Sequence, residues 1–112
     1  PKETVQDLLR AVNNAPFERK HEPLAEAVNL DPQGIDREQV VSAFRGYLQQ
    51  WAEQMDGAYA AFREDQTGKY FTTHKRLIGL RTALENLPVL DEIVKEKEQC
   101  LEHARLLLQD FR

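Results

Sequence analysis

Only one cysteine, Cys100, occurs in 112 residues, so no internal disulfide framework holds this chain together. A reducing cytoplasm is the compartment that such cysteine usage implies. No apolar run approaches the ~20 residues of a membrane span. No basic stretch leads into an apolar one, the pattern of a secretion signal. Acidic residues outnumber basic ones by 19 to 15, and the formal net charge of -4 disfavours nonspecific nucleic-acid binding by the whole molecule. No segment sustains the apolar–polar alternation of a strand. No Gly-rich elbow or phosphate loop accompanies the histidines and the cysteine, and the carboxylates are spread along helical faces. The sequence therefore points to no catalytic residue, no cofactor and no enzyme. There are no internal repeats. A hydrophobic fraction of 41% allows one helical domain over 1–112 with a modest core.

What is present is helical periodicity. Val40, Phe44, Tyr47, Trp51, Met55, Ala58 and Phe62 recur three and four residues apart, the stripe of one long amphipathic helix from Asp36 onward. About 28 residues rising ~1.5 Å each make a rod of roughly 40 Å. Val41, Leu48, Ala52 and Tyr59 flank this stripe and make a second apolar line. Asp36 with Gln39 reads as a capping box at its start, with Ile35 as a hydrophobic staple against Val40 or Val41. Thr67-Gly68 is the expected break. Ahead of it, Thr4 with Asp7 caps a first short helix that ends by Pro16, and Pro23 starts a second. Asn29 to Gly34 reads as a turn, with Asp31-Pro32 and Gly34 supplying its chemistry. Beyond the break, Thr72 or Thr73 caps a helix burying Leu77, Leu80 (or Ile78) and Leu84. Pro88 either kinks this helix or splits it in two. The last segment carries a periodic apolar stripe of Leu90, Ile93, Val94, Cys100, Leu101, Ala104, Leu107, Leu108 and Phe111, with Glu92, Glu96, Glu98 and Glu102 facing water beside Lys95 and Lys97. The fold class is thus all-α: a long helical hairpin or bundle with short N-terminal helices, completed by dimerisation.

Two features invite a functional reading. Gly46 and Gly57 lie 11 residues apart on the long helix, near the line of Gln50 and Glu53. A small-residue line lets another backbone approach, so these four residues, with the central Trp51, make a candidate interface. The alternative is a pair of tolerated glycines on a solvated face. The second feature is a segment without acid. From 66 to 84 there is no Asp or Glu, while Lys69, Lys75, Arg76 and Arg81 are interleaved with Tyr70, Phe71 and His74. Such a segment suits an anion, an acidic protein face or a nucleic-acid strand. It also suits docking against the acidic remainder of its own fold, and that reading takes precedence. Cys100 and His103 share a helical face, but zinc needs further ligands and no second Cys exists, so no metal site is expected. The function that fits is a small cytoplasmic regulatory or adaptor protein. It would bind another protein through helical faces, for example as an antiactivator of a transcriptional regulator or a chaperone-like subunit. A nucleic-acid accessory protein using residues 69–81 is the alternative.

Overall fold

The computed structural model of this chain describes residues 4–64 and 66–111, apart from the side chains of 66–69. Among them are α1 (Val5–Asn14), α2 (His21–Leu30), α3 (Arg37–Glu64), α4 (Gln66–Glu85) and α5 (Val94–Leu108). Single 3-10 turns lie at Phe17–Arg19, Asp91–Ile93 and Gln109–Phe111, and the described residues contain no strand. The fold is all-α. No helix among the described residues is long and apolar enough to cross a membrane. The contacts group into two compact units: Pro1–Tyr47 with Leu87–Ile93, and Leu48–Asn86 with Val94–Arg112.

In the first unit α1 opens on the capping box read from the sequence. The Asp7 backbone N–H donates to Thr4 Oγ1 at 3.2 Å, and the Thr4 N–H donates to Asp7 Oδ2 at 3.1 Å. These bonds, and Arg10 beside it, hold the Asp7 carboxyl below its usual range. The Lys20 ammonium donates to the Val12 carbonyl, supplying a partner to an otherwise orphaned acceptor at the end of α1. Helix α2 starts at His21, two residues before the expected Pro23. A proline within the first turn is tolerated because that N–H has no intrahelical acceptor. Val5, Leu8, Val12, Leu24, Ala27, Val40, Phe44, Leu90 and Ile93 form the buried core. The Phe17 ring stacks on Tyr47 with centroids 5.0 Å apart. Burial alone pushes the Tyr47 phenol up to about 12.

The start of α3 differs from its sequence reading. Ile35 is 82% exposed and staples nothing. Gln39 is engaged by the side chain of Gln6 on α1. The turn is held by buried Asp31, whose carboxylate accepts from the Ile35 N–H at 2.8 Å and the Asp36 N–H at 3.1 Å. Gly34, at φ 75°, supplies the left-handed residue the turn needs.

In the second unit Trp51 is fully buried and its indole N–H donates to the Leu80 carbonyl at 2.7 Å. Leu48, Met55, Phe62, Leu77, Leu84 and Ala104 complete the core. The contacts Trp51–Leu80, Gln54–Arg76 and Phe62–Tyr70 make α3 and α4 antiparallel neighbours. Helix α4 runs from Gln66, so Thr67 and Gly68, expected to interrupt the helix, lie inside it; residue 65 is outside the described residues. Gly costs a helix only about 1 kcal/mol, and packing of Tyr70 on Phe62 and Phe111 outweighs it. Thr72 and Thr73 are accordingly mid-helix and cap nothing; Thr73 is buried. Pro88 splits rather than kinks: α4 stops at Glu85, and α5 begins at Val94. Lys97, expected in water, is 8% exposed. Its position one turn from Ile93 and two from Ala104 places the stem on the buried stripe. Desolvation lowers its ammonium pKa, and Glu85 pulls the other way.

Candidate functional site

The glycine line on α3 is open. Gly46, Gln50, Glu53 and Gly57 are all exposed, and a Cβ built on Gly46 or Gly57 meets nothing within 4 Å. Each glycine costs the helix about 1 kcal/mol relative to alanine, and among the described residues nothing beyond its own stretch of helix approaches closely in return. Trp51, grouped with them from the sequence, is wholly inside the second unit and presents nothing at the surface. The second apolar line, which argued for a second copy, is partly covered by the chain itself: Val41 and Leu48 are buried, while Ala52 and Tyr59 are half-buried.

The acid-free segment lies on α4, and most of its polar groups are engaged within the second unit. The Tyr70 hydroxyl donates to the Phe111 carbonyl at 2.8 Å. The His74 ring stacks on the Phe111 ring at 5.4 Å, with only 9° between planes. Arg76 donates to Gln54 Oε1 at 2.6 Å. Arg81 pairs with Glu85 one turn on, at 3.3 Å. Lys69 lies outside the described side chains. Lys75 and Phe71 remain at the surface, Phe71 with 82% of its area exposed. Since the threonines are mid-helix, their backbone N–H groups are not free to hold an anion.

A third locus, in the first unit, has no counterpart in the sequence reading. Arg37 Nε and Nη2 donate to the two carboxylate oxygens of Glu92, both at 2.7 Å. Arg45 Nη2 donates to the Glu92 carbonyl at 3.2 Å. With Glu38 and Val41 these groups line a surface hollow of about 380 Å³. Hydrogen bonding to Arg37 pulls the Glu92 carboxyl down to about 2. The bonds tie the segment carrying Val89, which is 65% exposed, to the turn carrying Ile35. A separation of 55 residues hides the Arg37–Glu92 pair from any local reading. The visible signal was the apolar Val89 between Pro88 and Leu90.

The fork has a testable acid dependence. A carboxyl whose folded pKa is depressed stabilises above its unfolded value, and that contribution fades as pH falls toward about 2. Glu92→Gln is expected to lower stability slightly at neutral pH, because the pair is well exposed. It should also flatten the loss of stability below the ordinary glutamate value of 4.5. Urea unfolding followed by circular dichroism across that range measures both. An unaltered acid profile would show that Arg37 does not hold the proton off.

His103 and Cys100 do not converge on further ligands. His103 Nε2 lies 2.6 Å from Asp56 Oδ1, and burial raises the half-buried Cys100 thiol above its usual value. Among the described residues no group of three or more His, Cys, Asp or Glu is placed to hold a metal ion. Comparison with protein-family models, with curated proteins and with solved structures finds no match to this chain.

Proposed function

We propose that this chain is a small cytoplasmic regulatory or adaptor protein that works by binding another protein, a transcriptional regulator being one class of partner. The observation that carries the reading is the pair of exposed apolar side chains Ile35 and Val89 on segments fastened together by the Arg37–Glu92 fork. Single exposed apolar residues are ordinary on any surface. Two on segments ordered by a bidentate ion pair are a different matter: their ordering cost is met before a partner arrives, and they have the composition of an interface core. The charged rim of Arg37, Glu38 and Arg45 would set orientation and encounter rate more than affinity.

The double variant Ile35→Glu/Val89→Glu tests this. The parent, immobilised and exposed to lysate of its source, should retain a protein that the variant loses, with helix content equal in the two. Retention of the same proteins by both would refute the assignment of this surface. A nucleic-acid role for residues 69–81 has less support, because Tyr70, His74, Arg76 and Arg81 already have partners within their unit. A low-salt gel shift abolished by Lys75→Glu would reverse that order.

A further inference from the structure

We infer that the outward face of α4 at Phe71 and Lys75 docks on the outward face of α3 at Glu53, Gly57 and Ala60 of a second copy of this chain. All five residues belong to the second unit and are exposed. Phe71 and Lys75 are one turn apart, so they share a line on α4. Glu53, Gly57 and Ala60 follow at i, i+4 and i+7 and share a line on α3, with exposed Glu64 continuing it. The first line is an aromatic knob beside a cation. The second is a hole floored by glycine and alanine, with carboxylates at its ends.

The two lines also match in register. With the helices antiparallel, placing Phe71 over Gly57 brings Lys75 over Glu53, since both steps are four residues. Within one chain both lines face outward and 82% of Phe71 stays exposed, so the contact is not made internally. Among the described residues, nothing beyond its own stretch of helix lies within 4 Å of a Cβ on Gly57, which leaves the hole free for an incoming ring. The charges select the occupant. The α4 line lies in a stretch without acid from 66 to 84, and the α3 line carries acids at 53 and 64. Knob and hole are different patches of one chain, so the contact between copies is heterologous and can add further copies. This surface is separate from the one carrying Ile35 and Val89, and self-association through it does not depend on the partner proposed there.

Sedimentation velocity of the full chain, from about ten micromolar to about one millimolar, is the test. The parent should move from 13.0 kDa toward twice that mass and, as concentration rises, beyond it. Phe71→Ala should weaken association roughly tenfold or more. Glu53→Lys and Lys75→Glu should each weaken it to a similar degree, and their combination should restore it to within about threefold of the parent, because the pair is only exchanged. Circular dichroism confirms that each variant stays helical. A parent that remains at 13.0 kDa throughout overturns the proposal. So does association unmoved by either single charge reversal, or a combined variant that does not recover. Ile35→Glu/Val89→Glu should associate like the parent, so the outcomes for self-association and for partner capture are read independently.

Discussion

Trp51→Ala is expected to cost about 3–5 kcal/mol of stability, bringing the second unit close to unfolding. Trp51 has no exposed surface and is among the largest fully buried side chains in the molecule. Truncation leaves a cavity between α3 and α4 that rigid helices fill only in part, and it removes the donor to the Leu80 carbonyl. Trp51→Phe separates the two effects: it retains most of the packing and loses the hydrogen bond, so its cost should be nearer 1–2 kcal/mol. Urea unfolding by far-ultraviolet circular dichroism measures both variants without relying on the indole. A Trp51→Ala midpoint equal to that of the parent would mean that α3 does not bury this face.

Phe111→Ala should be the second most damaging of these changes, at about 3 kcal/mol. Phe111 is buried, and its ring meets Phe62 at 4.6 Å, Tyr70 at 5.2 Å and His74 at 5.4 Å. The substitution keeps the backbone carbonyl that accepts from Tyr70, so it isolates the loss of the ring. A value toward the low end of the range is expected from its place in the last 3-10 turn, where the chain relaxes more easily. The first turns of α4 should lose protection against hydrogen exchange, because Tyr70 and His74 lose the surface they pack on. Unchanged exchange there, with only the last turn affected, would show that the aromatic cluster does not hold α4.

What was legible without coordinates was whatever depends on local periodicity. Val40, Phe44, Tyr47, Trp51, Met55 and Phe62 are buried and Ala58 is half-buried, because one helical period brings them to one face whatever lies opposite. The capping box of Thr4 and Asp7 was readable for the same reason: donor and acceptor are three residues apart. Helix α4 was misread at its start because its apolar pattern is inverted there. Thr73 is buried and Phe71 exposed, so no amphipathic stripe announces the first turns. The open face of Gly46 and Gly57 required knowledge of which side of α3 the rest of the chain covers.

The sequence by itself determined the all-α class, the span and buried stripe of the long helix, and the acid-free stretch, since all three are properties of neighbours along the chain. Only the tertiary structure decided that Lys97 is inside, that Tyr70 and His74 serve Phe111, and that Arg37 meets Glu92. Those outcomes turn on side chains tens of residues apart competing for the same buried volume and the same hydrogen-bond partners, and local propensity carries no record of that competition.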